Sequence, residues 1–183
     1  MSARMFPVLK RLAASLMLVG ACAAANATTT PLGTLPLGAT AFNGSVSGTG
    51  PFSDIFTFTL PTNGGSSYTT VNFPFTFPGG PSFNTVFSGL TLKSNPDGIV
   101  GNGDDVVVGS TSMAGSAVSL NVGPTAPGMY FLVVNGSVPS GVSGGLYSGA
   151  IAVSPIPEPE TYGLFLAGLG LLGTIMTRRR KGA

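Results

Sequence analysis

Phe52-Ser53-Asp54-Ile55-Phe56-Thr57-Phe58-Thr59-Leu60 is the stretch on which the fold turns. Successive side chains of an extended chain point to opposite faces. Phe52, Asp54, Phe56, Phe58 and Leu60 therefore share one face, and Ile55, Thr57 and Thr59 share the other. Four large apolar side chains mark the first face as buried, which leaves Asp54 among phenylalanines. A carboxylate there is costly unless it is bonded or paired. The expected resolution is structural, with Asp54 accepting backbone N–H bonds from a neighbouring turn near the strand entrance; a calcium ligand is the alternative.

Outward from this strand the same alternation recurs in short runs rich in Phe, Val, Thr and Tyr, separated by Gly, Pro, Asn and Ser clusters. The runs fall at 41–46, 53–60, 67–77, 85–93, 105–109, 117–122, 129–135 and 146–153. Seven or eight strands at this spacing predict an all-β fold, an antiparallel β-sandwich of jelly-roll or Greek-key type. Pro74 places its strand at an edge or a bulge. Phe73, Phe75 and Phe77 alternate onto one face and read as core. Nothing between the two ends reads as helix.

The ends read differently. Arg4, Lys10 and Arg11 precede an apolar stretch over 12–25, and Ala25-Asn26-Ala27 has the small-x-small pattern of a signal-peptidase site. Val19-Gly20-Ala21-Cys22 is the competing feature, a loose lipobox with Cys22 as the lipidated residue. At the other end Pro155-Ile156-Pro157-Glu158-Pro159-Glu160 leads into an apolar run over 162–177, then Arg178-Arg179-Arg180-Lys181. The two prolines of Pro157-Glu158-Pro159 predict an exposed, extended recognition segment. As a helix the apolar run reaches only about 24 Å, short of the roughly 30 Å hydrocarbon core. The four cations act as a membrane stop signal and hold the end in the cytoplasm. The expected organisation is a signal peptide at 1–27, a β-sandwich ectodomain at 28–154 and a sorting tail at 155–183 with a transmembrane helix.

Removing both ends changes the charge argument. The whole chain carries a formal +2, but of its cations only Lys93 lies between the signals, against Asp54, Asp97, Asp104 and Asp105. The basic balance belongs to the delivery signals and implies no nucleic-acid partner. The same region has no His, Trp, Arg, Cys or Glu. Neither a Ser-His-Asp nor a Cys-His arrangement can be assembled from it, nor a zinc site built on His or Cys. Without disulfides the fold rests on its core. The expectation is a protein that is not an enzyme and needs no cofactor.

Most of the ectodomain's acid sits in Asn95-Pro96-Asp97-Gly98-Ile99-Val100-Gly101-Asn102-Gly103-Asp104-Asp105. Asn-Pro, Asp-Gly and Asn-Gly are turn pairs, so the segment reads first as a long loop. Weak calcium binding through Asp97, Asp104 and Asp105 is the alternative. The segment loosely resembles one unit of the glycine- and aspartate-rich calcium-binding nonapeptide, which needs stacked copies. As a glycosidase pair, Asp104 and Asp105 fail because adjacent residues of an extended chain face apart. Tyr68, Tyr130, Tyr147 and the phenylalanines are the aromatic surface available for stacking on sugar, weakened by the missing Trp.

The tail closely resembles the PEP-CTERM sorting domain of Gram-negative, exopolysaccharide-producing bacteria, over Pro157 to Lys181 and including Leu166-Ala167-Gly168-Leu169-Gly170-Leu171-Leu172-Gly173. Phe52, Asp54 and Phe56 resemble the motif of the FxDxF-type PEP-CTERM family. Pro127-Gly128-Met129-Tyr130-Phe131-Leu132-Val133-Val134-Asn135-Gly136 and Gly144-Gly145-Leu146-Tyr147-Ser148-Gly149 strengthen the match. Those strands also resemble the bacterial pre-peptidase C-terminal β-sandwich. The resemblance implies export through the Sec translocon, signal-peptidase cleavage and transient residence in the inner membrane. It further implies processing by an exosortase and a non-catalytic place at the cell surface or in the extracellular, exopolysaccharide or biofilm matrix. A calcium-dependent adhesin or a carbohydrate-binding module is the alternative.

Overall fold

The alternating runs become strands of a two-layer sandwich in the computed structural model, which describes residues 27–155 and 159–181. In chain order the strands are β1 (Thr29–Thr34), β2 (Gly38–Ser47), β3 (Gly50–Leu60), β4 (Gly64–Asn72), β5 (Phe75–Thr76), β6 (Ser82–Phe83), β7 (Val86–Ser94), β8 (Val106–Thr111), β9 (Ala117–Thr125), β10 (Gly128–Val138) and β11 (Gly144–Pro155); helix α1 (Pro159–Lys181) follows. One sheet has the order β1-β3-β10-β7-β8. The other joins β2, β11, β4 and β9, with the β5–β6 hairpin attached to β11 through the single pair Gly144 with Phe83.

The long strands pair as β2 with β11, β3 with β10, β4 with β9 and β7 with β8, all antiparallel. That nesting is the strand order of a jelly roll, a long hairpin wound into two facing four-stranded layers. It places consecutive strands such as β3 and β4, or β10 and β11, in opposite sheets. Both inner faces are therefore built from alternate residues of the same winding. Phe52, Asp54, Phe56, Phe58 and Leu60 are all buried and face inward. They meet Tyr68, Leu120, Tyr147 and Ile151 from the other sheet, with Phe87, Leu90, Leu132 and Val134 beside them. Fully burying one such side chain stabilises by about 1.5–3 kcal/mol, so this single core carries a domain without disulfides.

The eight expected runs correspond to β2, β3, β4 and β7 to β11, with three differences. The 67–77 run breaks: β4 stops at Asn72, and only Phe75 and Thr76 beyond it form a strand. Pro74 has no N–H to donate, so the ladder ends there. Phe73, Phe75 and Phe77 accordingly lie outside the core, 58%, 50% and 48% exposed. Alternation marks a buried face only while the segment stays in the sheet. Strands β1 and β6 are additions, and β1 runs parallel to β3 along the sheet edge with its register broken between Pro31 and Gly33.

The tail differs as well. Helix α1 begins at Pro159 rather than after it, the first-turn position where a missing N–H costs nothing. The helix continues through the basic cluster to Lys181, so its 23 residues reach about 34 Å. Among the described residues no helix is long and apolar enough to cross a membrane. Pro157, Glu158, Ala25 and Cys22 lie outside the described residues.

Candidate functional site

Asp54 is the chemically distinctive group of the sandwich. It is 1% exposed, and the strand period that aims Phe52 and Phe56 inward aims its carboxylate inward too. Oδ1 accepts the Thr28 backbone N–H at 3.0 Å and the Thr28 hydroxyl at 2.6 Å. Oδ2 accepts the Tyr147 hydroxyl at 2.5 Å, across the sandwich from β11. The expected backbone donor is present, but it belongs to the residue just before β1 and not to a turn beside β3. The two hydroxyls were not foreseen. Lys93 does not serve Asp54: its ammonium lies 5.8 Å from the centre of the Phe131 ring, on the opposite face of the same sheet.

Tyr147 is held as tightly as the carboxylate it serves. Its ring stacks on Phe52 at 5.7 Å and meets Phe87 edge-on at 5.6 Å. Beside it on β2 the chain needs glycine: a Cβ on Gly44 would fall 2.1 Å from Tyr147 Cζ. Gly136, paired with Phe52, stands in the same relation to the Phe52 ring, where a Cβ would lie 2.7 Å from two ring carbons. Burial pushes the Tyr147 phenol far above its ordinary value, and the hydrogen bond and negative charge of Asp54 add to the shift. Tyr147 is therefore a proton donor to Asp54 and not a base.

Above this bonded triad, with Asp54 and Tyr147 buried and Thr28 exposed, opens a cleft of about 700 Å³. Thr28 and Tyr147 form its floor, Thr30, Asn43, Ser45 and Ser148 its polar wall, and Phe73, Phe75 and Leu146 its apolar rim. No charged residue lines it among the described residues. Phe75 and Phe77 meet edge to face at 4.7 Å, and Phe77 reaches Phe83 at 6.4 Å. The exposed aromatic flap is tied down from beneath. Phe73 donates its N–H to the Leu146 carbonyl at 2.9 Å. Asn72 Oδ1 accepts both the backbone N–H and the hydroxyl of Thr85, while its amide donates to Asn84. The aromatic rings thus stand on a fixed, fully bonded base.

The acidic residues form a separate feature at the far end of the sandwich. Asp97 accepts the Ile99 N–H on one oxygen and the Asn102 amide on the other, at 2.8 and 2.7 Å. Asp105 Oδ2 accepts the Gly101 N–H at 2.6 Å, and Gly98 and Gly101 take positive φ of 80° and 89°. This is turn chemistry. Asp97, Asp104 and Asp105 do not converge, and among the described residues no three His, Cys, Asp or Glu side chains could hold a metal ion together. Of the sorting residues, Pro159, Arg178, Arg179, Arg180 and Lys181 lie in α1. Ala27 is exposed.

Residues 155–181 match the PEP-CTERM protein-sorting motif. The chain carries a PEP-CTERM sorting segment. This motif implies exosortase-dependent sorting of an exported protein, with the exosortase as processing partner. No match to a curated protein was found. Among solved structures, the pre-peptidase C-terminal domain of a collagenase from Bacillus anthracis is similar at 20% identity and TM-score 0.39, covering 69% of this chain and 94% of that one. The periplasmic inhibitor of g-type lysozyme PliG from Aeromonas hydrophila is similar at 15% identity and TM-score 0.37, covering 72% and 100%.

Proposed function

We propose that the PEP-CTERM protein is a non-catalytic component of the extracellular polymer layer. Sec exports it, helix α1 holds it at the inner membrane, and an exosortase processes it onto the cell surface or into the matrix. Its cleft then contacts exopolysaccharide. The observation that carries this reading is the uncharged cleft with Phe73 and Phe75 on its rim, half exposed on a surface where a soluble monomer would otherwise bury them. Aromatic faces offer stacking to the apolar face of a sugar ring, and the Thr30, Asn43, Ser45 and Ser148 groups offer hydrogen bonds to its hydroxyls.

Two further features support the reading. Large apolar side chains are exposed along the 164–172 stretch of α1, from Leu164 at 75% to Leu169 at 51%, and such a stretch is suited to a nonaqueous setting. Asp54, Asp97 and Asp105 are engaged in bonds that hold strands and turns, which favours a binding role over acid–base chemistry.

The test is co-sedimentation of the exported protein with polysaccharide from the producing cells. Phe73→Ala with Phe75→Ala weakens association about tenfold or more, equivalent to about 1.4 kcal/mol, while the melting point barely moves because neither ring is in the core. Absence of co-sedimentation by the unaltered protein, or equal binding by the double variant, sinks the proposal. The sorting half is read separately, by intact mass with and without the exosortase.

A further inference from the structure

We infer that Asp54 is the receiving group for the mature amino terminus, pairing with the α-ammonium of Thr28 once the leader is removed. Asp54 is buried among Phe52, Phe56 and Tyr147, and all three donors that reach it are neutral, with no cation in contact among the described residues. A carboxylate so placed is far better satisfied by a bonded cation. The ectodomain's one cationic side chain, Lys93, is committed to the opposite face.

The missing charge is created by processing. Ala25-Asn26-Ala27 ends one residue before Thr28. Hydrolysis of the Ala27–Thr28 peptide bond consumes one water, leaves a carboxylate on Ala27 and turns the Thr28 nitrogen into an ammonium. That nitrogen is already 3.0 Å from Asp54 Oδ1. The rest of Thr28 is fixed independently: its hydroxyl bonds the same oxygen, and its carbonyl accepts the Ile55 N–H at 2.7 Å. The β1–β3 ladder begins one residue later, with Thr29 opposite Ile55. Ala27 is exposed, so its removal takes nothing from the core. Cleavage therefore converts a neutral hydrogen bond into a part-buried ion pair on a buried carboxylate, and the fold is strongest only after the leader has gone. Tyr147, bonded to the other oxygen, completes the socket from the second sheet. This holds whatever polymer the cleft takes.

The deciding experiment uses the exported protein from its own cells. Its amino-terminal sequence is determined, and its native α-amine is challenged with an amine-reactive reagent beside the same protein unfolded in urea. The expected result is a chain that begins at Thr28 and whose α-amine is labelled at least about tenfold more slowly in the native state, because labelling requires the ion pair to open. A chain beginning elsewhere, Cys22 included, overturns the inference, as does a native α-amine that reacts as fast as the unfolded one. A second variant isolates the charge: a glycine inserted between Ala27 and Thr28 keeps the Thr28 amide bond to Asp54 but moves the ammonium one residue away. Its melting midpoint falls by about 10 °C, and Asp54→Asn costs less in that background than in the native one. Equal midpoints for the native and inserted proteins, both confirmed by sequence, overturn the ion pair.

Discussion

Replacing Tyr147 with Phe deletes one oxygen from the centre of the sandwich and leaves its shape intact. The ring keeps its stack on Phe52 and its edge contact with Phe87, so no cavity opens. What is lost is the 2.5 Å bond that reaches Asp54 Oδ2 from the opposite sheet. Hydrogen bonds to charged groups contribute about 1.5–3 kcal/mol. The upper part of that range applies, because the Thr28 donors both sit on Oδ1 and, among the described residues, Oδ2 is left without a bond in a buried site. Tyr68→Phe is the internal control: its hydroxyl donates to Ser66 Oγ at 2.9 Å, an equally buried but neutral bond, expected to cost about 1 kcal/mol.

At about 3–5 °C of melting point per kcal/mol for a domain of this size, Tyr147→Phe lowers the midpoint by about 10 °C and Tyr68→Phe by about 4 °C. Urea denaturation of the exported protein provides the free energies, and an unchanged slope certifies that the folded and unfolded ensembles are comparable. Asp54→Asn combined with Tyr147→Phe is less than additive, since both variants break the same bond. If Tyr147→Phe costs no more than Tyr68→Phe, the idea that the two sheets are bridged through a charged hydrogen bond is refuted.

Gly44→Ala forces a Cβ into the Tyr147 ring, so it destabilises by about 1–3 kcal/mol through overpacking. The penalty shrinks when Tyr147 is first truncated to Ala, and a tolerated Gly44→Ala counts against the close approach of β2 and β11. Alkaline stability follows from the tyrosines: burial pushes Tyr68 up to about 12 and raises Tyr130 and, more strongly, Tyr147 above the ordinary 10.0. The unfolded chain releases these protons near 10.0 while the fold retains them. Stability is therefore complete below that pH and declines above it, with phenolate absorbance rising together with unfolding; full ionisation of a still-folded protein is the contrary result. Asp97→Ala removes two bonds from the loop before β8 and costs about 1–2 kcal/mol. Calcium followed by chelator leaves the melting point unchanged, because both Asp97 oxygens and one of Asp105 are already engaged; a chelator-reversible rise would place a metal there.

The inward face of β3, the eight long strands and the C-terminal sorting segment were legible because each rests on local pattern. Two residues between side chains on one face is enough to place Phe52, Asp54, Phe56 and Phe58 together. The rest depends on partners distant in sequence. Thr28 and Tyr147 lie 26 and 93 residues from Asp54, and nothing in the nine residues around Asp54 names them. Strand β1 escaped because Thr29–Thr34 contains Pro31 and Gly33 and pairs in parallel along an edge, where no alternation is demanded. Phe73, Phe75 and Phe77 misled for the opposite reason: their spacing is that of a strand face, but Pro74 takes them out of the sheet that would have buried them. The Asn72–Thr85–Asn84 network beneath them is made of common polar residues, with no spacing to announce it.

Strand β11 relates the cleft to the tail. Its residues run from Gly144, opposite Phe83 of the aromatic flap, to Pro155, opposite Gly64 and the first residue of the sorting segment. Eleven steps at about 3.3 Å separate those ends by about 36 Å. Tyr147, on the cleft floor, lies near the Gly144 end, and so does Thr28, through Asp54 and Tyr147. Thr28 and the Phe73–Phe75 rim thus share one end of the sandwich, while the sorting segment begins at the other. The sorting segment, which begins at Pro155, includes neither the Phe73–Phe75 rim nor Thr28. Under the function proposed above, an ectodomain so arranged completes its fold and reaches polymer independently of its tail. In the pairing proposed above, the ion pair of Asp54 with Thr28 depends on leader removal alone and requires nothing of the tail.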